Sequence, residues 1–345
     1  MSVPSLEPTP WGRALAMPVA LAAILALIVL AFLWPARTSE PRGLPILVAG
    51  PAAQAAQLAG TLEERAEGVF AVTTVEDRDA AVGAIERREA YGAVVLGTSP
   101  EVLTASAASA VAAQALAALA EGVRQQAQQL ADGQAAQAGA DAPEITVTVT
   151  DVVPLAATDP RGAGLAAAAL PLTIGGLFAG ALVALGMRGG MRRAVALVTY
   201  AVAGGLALAA ILQGWFGVLQ GEFLANAAAI GLALLASGAF VCGLTGLLGR
   251  AGVALGAVTL VLLAVPIASV AAPVEFLPVP WGAIGQWLPP GAAAALLRDL
   301  SYFPAADVVF PWLVLAGWAV GGLVLVLAGR ALGRDRSAGA HLGSA

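Results

Sequence analysis

Six long apolar runs, none holding Asp, Glu, Lys, Arg or His away from its ends, constrain this chain more than any other feature. They are Ala14–Trp34, Leu165–Met187, Ala194–Phe216, Phe223–Leu248, Ala251–Ala271 and Phe310–Gly329. A helix rises about 1.5 Å per residue, so about 20 apolar residues cross the ~30 Å hydrocarbon core of a bilayer. Lipid offers no partner to backbone N–H and C=O groups, so each run is expected to be a membrane-spanning helix. The first run is read as an uncleaved anchor and not a signal peptide. Its apolar core exceeds the usual ~7–15 residues, and the only charge close before it is Arg13.

Composition agrees. Hydrophobic residues make up 59% of the 345 and charged residues 11%, against roughly 25% charged in a soluble domain. Too little charge is present to cover a water-facing surface, so lipid must solvate much of the chain. All basic residues are arginine. With abundant Ala and Gly, this fits a GC-rich bacterial genome and a plasma-membrane location.

Arginine placement gives orientation, since cytoplasmic loops carry the excess of basic residues. The segments 1–13, 188–193, 249–250 and 330–345 together hold eight arginines against Glu7 and Asp335. The remaining segments hold the other twenty acids against nine arginines. Both termini are therefore expected in the cytoplasm.

Residues 35–164 are too polar for lipid and fall on the outer side. "LPILVAG", "VFAVTTV", "YGAVVLG" and "EVLTA" read as strands, separated by helical patterns. A long Ala/Gln-rich helix runs from about Ser109 to Leu130, Gly133–Ala142 reads as a linker, and "EITVTVTDVVPL" as a final alternating strand. The expected fold class is thus a mainly α-helical membrane protein. It has six transmembrane helices, a small extracytoplasmic α/β domain between the first and second, and a re-entrant or interfacial element between the fifth and sixth.

Several functions lack their chemistry. A P-loop needs a lysine at the β/γ-phosphates, and the chain has none. The lone Cys242 lies in an apolar run and the lone His341 in a polar tail, so no zinc site, serine–histidine catalysis or intrachain disulfide is expected. No cofactor is expected. With no Asp, Glu, Lys, Arg or His inside a span away from its ends, proton coupling through the membrane centre is disfavoured. The 35–164 region carries sixteen acids against eight arginines, which argues against nucleic acid as a partner. Glu63-Glu64-Glu67 and Arg87-Arg88-Glu89 read as solvated helix faces. Gly176/Gly180, Gly252/Gly256 and Gly317/Gly321 have the spacing that lets helices approach closely in lipid.

Residues 272–309 are too apolar for a free loop and too broken to span. Pro278, Pro280, Pro289 and Pro290 interrupt any continuous helix. Trp281 and Trp287 suit the headgroup boundary. "GAAAALLRDLSYF" can form a short amphipathic helix with Arg298 and Asp299 at its wet edge. The segment reads as a re-entrant gate at the outer mouth, or as an anchor lying flat at the interface.

The order of these parts, together with "AIERREAYGAVVL", "VLTASAAS", "TVTDVVPLAATDPRGAGL" and "LPPGAAAALLRDLSYFP", resembles permeases of the type-2 ABC exporter superfamily, in particular its YhgE/Pip-like branch. The resemblance implies the membrane half of an exporter for a hydrophobic, lipid-like, peptide or drug-like substrate. It implies a homodimer or heterodimer of permease subunits working with a separate cytoplasmic ATPase. On that reading Gln213, Glu222, Asn226, Arg298 and Asp299 are the candidate pathway and gate residues. The inner turns, with Arg188, Arg192, Arg193 and Arg250, would dock the ATPase, although they are short for that task. The alternative is a non-transporting surface or scaffold protein whose external domain binds an extracellular partner.

Overall fold

The computed structural model describes residues 10–97, 100–138 and 143–342. Most of the N-terminal segment 1–13, the end of the expected linker (139–142) and residues 343–345 lie outside the described residues. The chain is mostly helical, at 68%. It opens with α1 (Trp11–Thr38), a 28-residue apolar helix with no buried residue in its most apolar window.

A mixed α/β unit follows: β1 (Leu44–Ala49), α2 (Ala52–Arg65), β2 (Phe70–Val75), α3 (Arg78–Glu86), β3 (Gly92–Val95), β4 (Glu101–Thr104), α4 (Ala110–Ala138) and β5 (Thr148–Asp151). The strands form one five-stranded sheet in the order β2-β1-β3-β4-β5. β1 pairs in parallel with β2 and β3, β3 runs antiparallel to β4, and β4 is parallel to β5. The near-continuous apolar sequence of β1 reflects burial on both faces. On one face Leu44, Ile46 and Val48 pack with Leu62 of α2 and Leu116 of α4. On the other, Leu47 and Ala49 pack with Ala81 and Ile85 of α3. α4 continues through residues 133–138, where a linker is expected, because Ala and Gln favour helix enough to carry it past Gly133. The final strand covers only Thr148–Asp151 of the longer alternating stretch.

The remaining helices are α5 (Ala163–Gly186), α6 (Gly190–Ala209, prolonged by a π-helical turn over Ala210–Trp215), α7 (Phe223–Leu248), α8 (Arg250–Ala257, prolonged by a π-helical stretch over Val258–Ala264), α9 (Trp281–Gln286), α10 (Pro289–Tyr302) and α11 (Val309–Leu342). Among the described residues, five helices are long and apolar enough to cross a membrane: α1, α5, α6 with its π turn, α7, and α11 over Val309–Ala328. The fifth apolar run of the sequence, 251–271, differs from expectation. It is helical only over Arg250–Ala264, which at ~1.5 Å per residue gives about 22 Å, short of a ~30 Å core. Its chain then turns through Val265–Ile267, where Pro266 has no N–H to continue the ladder and Ser269 adopts a positive φ of 53°.

α7 is the hub of the bundle, with 72% of its apolar window buried. It touches α5, α6, α8, α10 and α11. Small residues allow this. A Cβ on Gly176 of α5 would lie 2.7 Å from the Cβ of Ser237, and one on Gly243 of α7 would lie 2.6 Å from Leu325 of α11. Of the three G-x-x-x-G pairs, Gly176/Gly180 and Gly252/Gly256 sit in such close approaches, whereas Gly317 and Gly321 face open space. The 39–162, 216–222 and 265–308 connections gather at one end of the bundle. Thr158 Oγ1 donates to the Gly217 carbonyl at 2.7 Å, and Glu40 N to the Phe276 carbonyl at 3.2 Å.

Candidate functional site

The site is built around α10. Pro289 and Pro290 occupy its first turn, where a missing N–H costs nothing and a fixed φ favours the helix. That first turn lies deep in the bundle. Pro289, Pro290 and Ala293 share a cavity of about 20 Å³ with Thr173 and Ser237, which lie near the middle of α5 and α7. The short α9 leads there from Trp281, whose ring meets Trp34 near the end of α1 edge-on at 5.9 Å. Packing α9 and α10 onto the blunt end of α8 requires glycine. A side chain on Gly285 would collide with the Ile267 carbonyl, and one on Gly291 with the Gly285 carbonyl. Trp318 of α11 fixes the corner by donating its indole N–H to the Trp287 carbonyl at 2.8 Å.

From that depth α10 rises towards the α/β unit. Leu296 and Leu297 are fully enclosed by the bundle, while Phe303, just past the helix, enters the sheet core beside Ile85 and Leu103. Phe276, before α9, fills the opposite sheet core beside Leu116. The 272–309 segment thus contributes a buried phenylalanine to each face of the sheet, with Tyr302 packed beside Phe303.

Polar contacts fasten the same junction. Arg88 Nη1 donates to Asp299 Oδ1, with side-chain exposures of only 19% and 8%. The Arg88 guanidinium also lies 5.6 Å from the centre of the Phe303 ring, within cation–π range. Arg88 follows α3 with φ of 60°, a left-handed conformation usually left to glycine. Its amide donates to the Ile85 carbonyl at 2.9 Å. A non-glycine residue there costs about 1 kcal/mol or more, and the return is a side chain aimed at α10. Tyr91 O–H donates to Glu275 Oε2 at 3.1 Å. Burial, then the charge of Glu275, pushes the Tyr91 phenol well above its ordinary range. Tyr302 O–H donates to the Val218 carbonyl at 2.9 Å.

Arg298 and Asp299, adjacent in sequence, face different cavities. Asp299 lines a cleft of about 270 Å³ that runs from Arg87 and Asp307 past Ala295 and Ala292 to Gln286. Arg298 lines a second cavity of about 300 Å³ on the other flank, with Arg161, Asp159 and Tyr302.

The other sequence candidates lie elsewhere. Gln213 and Asn226 meet each other, with Asn226 Nδ2 donating to Gln213 Oε1 at 3.0 Å and to the Gln220 carbonyl at 2.7 Å. Gln213 Nε2 donates to the Gly221 carbonyl at 2.8 Å. Gly221, at φ of 76°, rests on the Leu300 carbonyl of α10, so this network holds the α6–α7 loop against the site. Glu222 is exposed at the start of α7. Arg188, Arg192 and Arg250 are exposed at the opposite end of the bundle. Arg193 there caps α5, donating to the Ala184 carbonyl at 2.7 Å and the Met187 carbonyl at 3.0 Å.

Arg88, Tyr91, Glu275, Phe276 and Phe303 carry no local signal that marks them as part of this junction. Arg87 and Glu89 do form an exposed pair at 2.8 Å, but the arginine between them turns inward. The usable signal is Asp299 itself, since a carboxylate on a helix of leucines and alanines needs a cation. No family model, curated protein or solved structure matches this chain.

Proposed function

We propose that this chain is the membrane subunit of an exporter of the type-2 ABC kind, moving a hydrophobic substrate with energy from a separate ATPase. The observation that supports it most is the α9–α10 pair. It descends to the middle of α5 and α7 and returns to the α/β unit beside a cleft that links Gln286 to Arg87. Broken backbone at membrane depth is stable only where protein or a water-lined cavity satisfies it, and here both are at hand. In this reading α8 and the α9–α10 hairpin together complete a sixth crossing, residues 35–164 lie outside the cell, and Asp299 with Arg88 closes the outer mouth. A partner permease subunit would pack where this chain leaves helix faces bare, along α1 and the Gly317–Gly321 side of α11.

The test is pull-down of the full chain from its native membrane in mild detergent. An ATPase should accompany it, and that enzyme's turnover should change when this subunit is present. Recovery of the chain without any nucleotide-hydrolysing partner favours the second reading, a non-transporting surface scaffold. One feature speaks for that second reading. The connections at the end away from the α/β unit, 187–189 and Gly249, are too short to form a docking helix.

Orientation has its own check. In a Cys242→Ala background, Ala117→Cys on the exposed side of α4 should react with an impermeant thiol reagent added to intact cells. Arg188→Cys, exposed at the other end, should react only after the membrane is opened. The reverse pattern would invert the proposed topology.

A further inference from the structure

The cavity on the Arg298 flank of α10 has its own chemistry. It lies at the seam between the bundle and the α/β unit and measures about 300 Å³, at the lower end of the roughly 300–1,000 Å³ usual for small-ligand pockets. Its bundle side is apolar, made by Leu165, Ala166, Leu219 and Val270. Arg298 of α10, Arg161 just before α5 and the hydroxyls of Ser106 and Ser109 line the cavity as well.

The charges do not cancel. Among the described residues Asp159 is the only acid lining the space, and its carboxylate already accepts the Ala163 and Gly164 amides at 3.0 and 2.7 Å, capping α5. Arg298 donates through Nη2 to the Val270 carbonyl at 2.5 Å. A guanidinium has five N–H donors in a fork suited to oxyanions, and among the described residues Arg298 forms no ion pair. Its sequence neighbour Asp299 is taken by Arg88. Arg161 likewise has no carboxylate partner among the described residues and is exposed at the rim. A largely enclosed arginine without a counter-ion is costly, so an anion bound in this cavity against Arg298 is stabilised there.

We propose that this cavity binds the phosphate of an anionic amphiphile. Arg298 and Arg161 hold the phosphate oxygens, and the tails leave along the apolar wall of α5 and the 218–219 loop. Basic pockets at the membrane boundary recognise lipid headgroups by the same chemistry. A free phosphate would use the arginines and leave the apolar wall without a function. The inference concerns a binding site and holds whether or not the chain transports.

The experiment uses the full chain in an uncharged detergent and follows its thermal unfolding midpoint during titration. Short-chain phosphatidylglycerol should raise the midpoint saturably, because a ligand of the folded state stabilises it by mass action. The same tails without phosphate, as dihexanoylglycerol, should not, and inorganic phosphate should need far higher concentration. Arg298→Gln should raise the half-saturating concentration about tenfold or more, the loss expected for charge-assisted hydrogen bonds. Arg161→Gln, at an exposed turn that burial does not constrain, should raise it severalfold with the unliganded midpoint unchanged. Its titration decides the matter even if Arg298→Gln fails to fold. Equal stabilisation by dihexanoylglycerol, equal potency of inorganic phosphate, or an Arg161→Gln titration identical to the parent would each overturn the proposal.

Discussion

Arg88→Ala is expected to loosen α10 while leaving the sheet and the long helices folded. Removing one member of an enclosed ion pair leaves the other charge without compensation, at a cost of about 3–5 kcal/mol. Asp299 is the member left behind, at 8% side-chain exposure. The cation–π contact with Phe303 goes as well. Hydrogen exchange over residues 289–303 reads the outcome directly, since local opening is governed by local stability. Protection there should fall by about a hundredfold to several thousandfold, with β1 and α7 unchanged. The double variant Arg88→Gln with Asp299→Asn removes both charges and should recover most of the protection. Wild-type exchange in Arg88→Ala would show that the junction is held by Phe276 and Phe303 alone.

Gly285→Ala should have a comparably large effect through a different cause. A methyl group at that position runs into the backbone carbonyl of Ile267, which cannot rotate aside as a side chain can. Overpacking usually costs about 1–3 kcal/mol, and collision with backbone lies at or above the upper end. The α9–α10 pair should separate from the end of α8, visible as reduced folded yield and as faster exchange in 281–302. Gly317→Ala is the matched control: nothing within 4 Å would meet its methyl group, and stability should stay the same or rise slightly with helix propensity. If both alanines behave alike, close packing at Gly285 is not what seats the hairpin.

The two variants probe features of unequal visibility in the sequence. The long helices are legible because length and apolarity are local properties, and Phe223–Leu248 agrees with α7 residue for residue. Where the fifth apolar run stops being helical is not. "VPIASVA" stays apolar after Ala264, so hydropathy continues while Pro266 ends the helix. Gly133 misleads in the opposite direction, since alanines and glutamines around it sustain α4. At the candidate site, sequence points to Arg298 and Asp299 together and reads Arg88 as solvated. The pairing of Asp299 with Arg88 joins residues 211 apart, and a left-handed turn decides which of two adjacent arginines faces inward. No local pattern encodes either. Gln213 and Asn226 stand out in the sequence as polar groups near the membrane, and only the fold shows that they tie down the loop beneath which α10 ends.

α8 stops at Ala264, and that gives the two halves of the bundle different mechanical character. Away from the sheet, uninterrupted rods lie side by side, and any shift must slide whole helices past one another. Near the sheet, the same cross-section is filled by two short helices joined at tight corners, each able to tilt about a few backbone bonds. The short helices are therefore concentrated at the sheet end of the bundle, where the two faces of the five-stranded sheet take Phe276 before them and Phe303 after them. A displacement of the sheet is then transmitted first to α9 and α10, and only through them to the long helices.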